Sequence, residues 1–286
     1  MRNETVYTLA FASAVTTALL VLLRLLERTF APDHRLKSDL ERGDVPFAIL
    51  HAGDVLAVFL VSASVVANCV HRESVGMDVA WSAAFGIVAT SLYYGTSRLG
   101  MRALFQKSLV GTELARGNLA AGVTAAAHAI ATGILVARAI GGNDLPSLGL
   151  SLVFFAIAQA SLHVLVALFR WLTPYDDAEE ILGGNLAAAV SYSGVTVAVA
   201  ILVGHAVEGP FTGWTSSLTG YAIALGYGVS LYVVRQFVVP MVLLGAPPTL
   251  RRGVLDRGIA TDRDVGKAVL EAVAYLATAF LVVRIG

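Results

Sequence analysis

GNLAA occurs at Gly117–Ala121 and again at Gly184–Ala188, and each copy opens a long apolar run. Glu113 to Ala120 reads ELARGNLA, Glu180 to Ala187 reads EILGGNLA, and a looser copy, DLERGDVP, runs from Asp39 to Pro46. A degenerate fourth, IATDRDVG, runs from Ile259 to Gly266; it keeps Asp264 but lacks the acid and the glycine. The pattern is an acid (Asp39, Glu113, Glu180), an aliphatic residue, two variable positions, a glycine (Gly43, Gly117, Gly184) and then Asp44, Asn118, Asn185 or Asp264. Glycine just past a helix end accepts a left-handed backbone at little cost. Asn and Asp are favoured N-caps, because their side chains accept from the first free backbone N–H groups. The motif therefore predicts a short interfacial helix carrying the acid, a stop, and a new helix whose small first residues admit close neighbours.

The runs that follow are long enough to cross a bilayer, which takes about 20 mostly apolar residues. Eight such spans are expected: Val6–Leu23, Pro46–Val70, Val79–Tyr94, Leu119–Ala137, Leu148–Leu172, Leu186–Val203, Leu218–Val239 and Val265–Val283. Composition agrees. The chain is 57% hydrophobic and 14% charged, far from the roughly 25% charged of soluble domains. Its mean hydropathy is +0.74. A net charge of zero gives nucleic acid nothing to bind, and the single cysteine, Cys69, permits no intrachain disulfide. At the N-terminus Arg2 is balanced by Glu4, and Arg24 and Arg28 follow the apolar run, so this stretch reads as a first span and not as a cleaved signal.

All the Lys and Arg residues except Arg2, Arg72, Arg138 and Arg284 fall in or beside the connections after the odd-numbered spans. Positive charge marks the cytoplasmic side. Both termini are therefore expected outside, with the long connections cytoplasmic. The intervals from Asp44 to Asn185 and from Asn118 to Asp264 are nearly equal. The expectation is an all-α membrane bundle of two four-helix pseudo-repeats, over residues 1–145 and 146–286, related by an axis along the membrane normal.

The segment DAEEILGGNLAAAVSYSG, from Asp177 to Gly194, and GIATDRDVGKAVLEA, from Gly258 to Ala272, resemble the bacterial YjfL-like inner-membrane proteins, domain of unknown function family 350. The resemblance covers Arg170–Gly286 well and Val6–Ile140 more loosely, chiefly through ELARGNLAAG, so the chain looks like two such domains in tandem. It implies a location in the bacterial inner membrane and an association with operons of membrane-stress, polyamine and ion-channel-like proteins. The family carries no established activity, so no catalytic residue transfers.

Ionisable residues within spans are costly and usually face protein or water. Seven residues in from each cap stand His51, Ala125, Tyr192 and Glu271, and ten in stand Asp54, His128, Val195 and Ala274. That is a depth of roughly 10–15 Å at 1.5 Å per residue. If the even spans surround a common axis, His51, Asp54, His128, Tyr192 and Glu271 form one polar layer, with Lys267 snorkelling or pairing with Glu271 and His163 at similar depth. Tyr93 and Tyr94 read as an interfacial anchor.

The plainer alternative is that the histidines and Tyr192 are hydrogen-bonded packing residues. On the first reading the protein is a transport or channel-type protein handling protons or small cations. On a second it is a membrane scaffold whose Pro240–Asp264 loop recruits a cytosolic or membrane partner. On a third, His51, His128 and His163 hold a haem or metal, though no tight ligand spacing backs this. Apart from that third reading, no cofactor or metal is expected; the lipid bilayer is the expected partner, with a homo-oligomer as a further arrangement. No phosphate-binding loop, nucleophile elbow or HExxH motif points to an enzyme.

Overall fold

The computed structural model describes residues 2–31, 36–71, 74–105, 110–209, 211–249 and 251–285, with side chains described from Val6 onward. The side chains of Arg2 and Glu4, and residues Arg35, Arg72 and Lys107, which enter the charge argument, lie outside the described residues.

The repeated motif folds as its chemistry requires. Helix α2 (Leu36–Glu41) leads into α3 (Val45–Cys69), α5 (Val110–Ala115) into α6 (Leu119–Ala139), and α8 (Asp177–Leu182) into α9 (Leu186–Val207). At each junction the glycine is left-handed, with φ of 69° at Gly43, 79° at Gly117 and 75° at Gly184. The glycine N–H donates to the carbonyl three residues back, and the next residue donates to the carbonyl of the acid. These second bonds are Asp44 to Asp39 at 3.0 Å, Asn118 to Glu113 at 3.1 Å and Asn185 to Glu180 at 2.9 Å. This paired closure satisfies the last carbonyls of the short helix. The same Asp or Asn then turns its side chain forward and accepts from the N–H of Phe47, Ala121 or Ala188.

The fourth junction joins α12 (Val254–Ala260) to α13 (Val265–Ile285). There Arg263 occupies the glycine position and takes the left-handed conformation itself, with φ of 52°. The Asp264 N–H reaches back to Gly258 at 2.8 Å, one residue further than in the other copies.

Eight helices among the described residues are long and apolar enough to cross a membrane. The others are α1 (Arg2–Phe30), α4 (Val75–Leu104), α7 (Leu145–Leu172) and a composite seventh span, Trp214–Leu243. Several run longer than their expected spans, by most in α1, which continues past Leu23 to Phe30, and α4, which continues past Tyr94 to Leu104. The extensions place Arg24, Glu27 and Arg98 on membrane helices.

The seventh span is not one regular helix. It is built of α10 (Trp214–Gly226), α11 (Val229–Val233) and a π-helix, Val234–Leu243, with Pro240 inside it. Pro240 therefore interrupts a span, whereas the sequence reading put it at the end of an unbroken one. Proline removes a backbone donor and crowds the preceding turn, and wider π geometry accommodates both.

The even spans stand in a row, α3 against α6, α6 against α9 and α9 against α13. This corrects the expectation that they surround a common axis. Small residues set the row. A Cβ on Gly53 would lie 2.8 Å from the Ala126 backbone, and one on Gly194 would lie 2.5 Å from the Ala272 Cα. Helices α1 and α4 pack on α3, α7 packs on α6 and α9, and α10 packs on α9. The central α6 and α9 are mostly buried, while α1 turns most of its surface outward.

Candidate functional site

The row separates the polar residues into groups. At one end, α3 carries His51 and Asp54 on one face, both buried. Helix α1 brings Glu27, α2 brings Asp39, and α4 brings Tyr93 and Arg98. The His51 Nε2 lies 3.0 Å from Asp39 Oδ2. Its Nδ1 lies 3.4 Å from Glu27 Oε1, and neither of these two atoms has a hydrogen-bond partner. Asp54 accepts from the Tyr93 hydroxyl at 2.5 Å and from Arg98 at 2.8 Å.

Each carboxylate has its own guanidinium. Arg24 donates to Glu27 at 2.5 Å, Arg42 donates to Asp39, and Arg98 serves Asp54. The three pairs balance, which leaves the imidazole proton as the variable charge at the centre. Glu27, His51 and Asp54 offer ligand atoms within 4.8 Å of one another, a set that resembles a cation site. A divalent ion there would sit beside arginines that already neutralise its ligands, so the donor set suits a proton better than a metal.

At the other end of the row, Glu271 on α13 is fully buried and saturated. It accepts from Arg235 Nε at 2.5 Å, Ser191 Oγ at 2.6 Å and the Tyr275 hydroxyl at 3.3 Å. Arg235, carried by the π-helix, also donates to Asp256 at 2.7 Å. Lys267 does not pair with Glu271; it pairs with Asp264 at 3.2 Å and Asp262 at 3.7 Å. Glu271 lies on α13 and Asp54 on α3, three helix spacings apart, or roughly 25 Å at 8–10 Å each.

The remaining residues lie between. His128 on α6 stacks on His163 of α7 with ring centroids 5.5 Å apart, and Gln159 lies 3.1 Å from the His163 ring nitrogen. Tyr192 lies under the Arg170 guanidinium at 5.9 Å. The single polar layer is thus replaced by two ion clusters and a histidine pair. Of the three histidines of the haem or metal reading, His128 and His163 meet, while His51 is grouped with Glu27 and Asp54. Tyr93 and Tyr94 are buried in the protein, so they do not present their rings to lipid as anchors.

The motif residues have architectural work. The Asn118 amide donates to the carbonyls of Ile181 at 3.0 Å and Leu182 at 3.4 Å, at the end of α8. The Asn185 amide donates to the carbonyl of Ile259, at the end of α12, at 2.9 Å. Each asparagine cap thereby fastens its helix to the next short helix in the chain. Glu113 and Glu180 accept from the same two amides, at 3.3 and 2.9 Å, and hold them in position. Asp44 has no amide to donate, and beside it Gly43, Pro46, Ala115 and Gly117 line an open notch of about 370 Å³.

The family model described as Domain of Unknown Function (DUF350) matches residues 1–140 and again 143–285. The chain belongs to this family. Its members are defined by sequence, and the two tandem matches accord with the repeated caps. A curated relative is a UPF0719 transmembrane protein of Aquifex aeolicus (strain VF5), 21% identical over 180 residues. The matched stretch is 60% of this chain, which spans 63% of that relative's length. No solved structure matches the chain.

Six residues of the first cluster escaped the sequence reading of the site: Arg24, Glu27, Arg42, Tyr93, Arg98 and, except as a motif acid, Asp39. One signal was present. Each odd span carries an arginine near the end facing the caps, namely Arg24, Arg98, Arg170 and Arg235, and each pairs with an acid. In the sequence these arginines mark the cytoplasmic side, and spacing along one helix does not report which acid on another element Arg98, Arg170 or Arg235 will meet.

Proposed function

We propose that this multi-pass membrane protein handles protons in a bacterial inner membrane, without enzymatic chemistry, and that His51 is the group whose proton moves. The supporting observation is the arrangement around its ring. A carboxylate faces each nitrogen, one contact made at 3.0 Å and the other open at 3.4 Å, inside a shell of balanced Arg–carboxylate pairs. An imidazole so placed can accept a proton on one nitrogen and release one from the other. The caps lie on the cytoplasmic side in this reading, which follows the distribution of Lys and Arg. Lipid covers the exposed apolar side chains of α1, α4 and α7.

The test is proton flux into liposomes holding the purified protein and a pH-sensitive dye. Wild type should dissipate an imposed pH gradient, and His51→Gln, which keeps a polar side chain but exchanges no ring proton, should reduce the rate to that of empty liposomes. Equal rates for the two proteins refute the assignment.

A further inference from the structure

The α1, α3 and α4 helices of the first half share a seam whose polar residues do not stop at the His51 cluster. On α4, Asp78, Ser82, Gly86, Thr90, Tyr93 and Ser97 recur every three or four residues and so lie on one face. Asp78, Ser82, Thr90, Tyr93 and Ser97 are all buried, at 3% exposure or less. From Ser97 to Asp78 the stripe rises about 28 Å at 1.5 Å per residue, close to the ~30 Å of a hydrocarbon core.

Helices α1 and α3 continue the line: Thr16 and Ser62 share a hydrogen bond at 2.5 Å. At the end far from the caps, Asp78 accepts from the Tyr7 hydroxyl at 3.3 Å and from the His71 N–H at 2.9 Å.

Two of these hydroxyls are anomalous. Ser82 Oγ and Thr90 Oγ1 are buried with no hydrogen-bond partner. Serine and threonine on a membrane helix ordinarily bond to the carbonyl four residues back, as Thr96 does to Leu92 at 2.6 Å. A buried hydroxyl that forgoes this bond is costly unless water supplies the partner. Between them sits Gly86, where a Cβ would come within 2.9 Å of the Leu19 side chain. Leu19 therefore lodges in the one gap of the stripe.

We infer that this seam is the proton path, running from Asp39 through His51 and Glu27, past Asp54 and Tyr93, by way of Thr90, Ser62 with Thr16, and Ser82 to Asp78, with Leu19 as its apolar plug. The inference rests on the proposed proton-handling role and adds its route. Steps of three or four residues rise roughly 4.5–6 Å, too far for a direct hydrogen bond and right for one bridging water. Each transfer breaks one O–H or N–H bond and makes another, and the residues return to their starting protonation after a proton has crossed. In the ion cluster of the second half, Glu271 already accepts three hydrogen bonds and Arg235 is held between two acids, so that pair has no open contact like the one between His51 and Glu27.

The liposome assay separates the route from the role. Thr90→Val combined with Ser82→Ala removes both hydroxyls while preserving shape and should lower proton flux at least tenfold. Leu19→Ala should raise it severalfold. Thr196→Val, which removes a hydroxyl on α9 already bonded to Tyr192 at 2.7 Å, should leave it unchanged.

If His51→Gln abolishes flux while the double variant and Leu19→Ala run at the wild-type rate, the route is wrong and the role stands. If wild type carries no flux, both fall. Should the double variant not fold, thiol labelling decides. In a Cys69→Ala background, Thr90→Cys and Ser82→Cys should react with a small charged methanethiosulfonate, and Ala198→Cys, buried on α9, should not. Unreactive thiols at all three positions overturn the wet seam.

Discussion

Asn185 provides the sharpest test of how the repeats are joined. It is fully buried and makes three contacts at once: its side-chain oxygen accepts from the Ala188 N–H at 3.2 Å, and its amide donates to the Ile259 carbonyl and to Glu180, each at 2.9 Å. Asn185→Ala removes the helix cap, at about 1 kcal/mol. It also leaves the buried Ile259 carbonyl without this donor, at about 1–3 kcal/mol. The expected loss is about 2–4 kcal/mol. Asn118→Ala should cost less, because Asn118 is itself only half-buried, so water can take its place beside the Ile181 and Leu182 carbonyls. Asp44→Ala removes the cap alone, at about 1 kcal/mol.

The discriminating change is Asn185→Asp. It preserves the cap, yet it turns an acceptor oxygen toward the Ile259 carbonyl and adds a negative charge beside Glu180. It should be at least as damaging as alanine at neutral pH. Unfolding in mixed micelles, followed by near-ultraviolet circular dichroism, gives the order. An Asn185→Asp protein as stable as wild type, or an Asp44→Ala protein as damaged as Asn185→Ala, refutes the idea that the amide joins successive repeats.

Two other expectations come from the same region. Arg263 holds a left-handed backbone that costs a non-glycine residue about 1–2 kcal/mol, and its contact with Glu180 is long, at 3.9 Å, and exposed; Arg263→Gly should raise stability by about 1 kcal/mol in the same unfolding assay. Burial pushes the Asp177 carboxyl up to about 7, against the pull of Arg170 and Arg235, so the folded protein holds this proton where the unfolded chain, near 3.8, has lost it. Stability from this group is full below about 4 and is lost as pH rises through about 7. Asp177→Asn should therefore melt higher than wild type at pH 8 and equally at pH 4, and a gain that is the same at both would refute the cause.

The membrane helices and their caps were legible because the information is local. Apolar length sets a span, and Gly-Asn sets a boundary, whatever the neighbours do. Partner choice was not legible. Whether even spans form a ring or a row depends on which small residue meets which backbone, as Gly53 meets Ala126 and Gly194 meets Ala272, and no periodicity in one strand of sequence reports that.

The third span was cut short at Tyr94 because Gly95, Thr96, Ser97 and Arg98 dilute its hydropathy, and with them went the partner of Asp54. The stripe from Asp78 to Ser97 was there to be read at helical spacing. Likewise Gly226, Gly228 and Pro240 announced a broken seventh span, but a window averaged over apolar neighbours hides such breakers. The site reading failed where it assumed symmetry: equal depth from the caps is a one-dimensional coordinate, and residues at one depth on four helices in a row are spread along a line.

The asparagine caps also impose a direction on biogenesis. Asn118 bonds to a carbonyl of α8, and Asn185 to one of α12, both of which lie further along the chain. During synthesis each cap emerges before its acceptor exists. A newly inserted hairpin thus carries an unmet donor at its cap-side edge until the next hairpin arrives and supplies the carbonyl. The last junction, with Asp264 in place of Asn, offers no amide to a successor. These two bonds can therefore close only in the order of translation, Asn118 once α8 has arrived and Asn185 once α12 has.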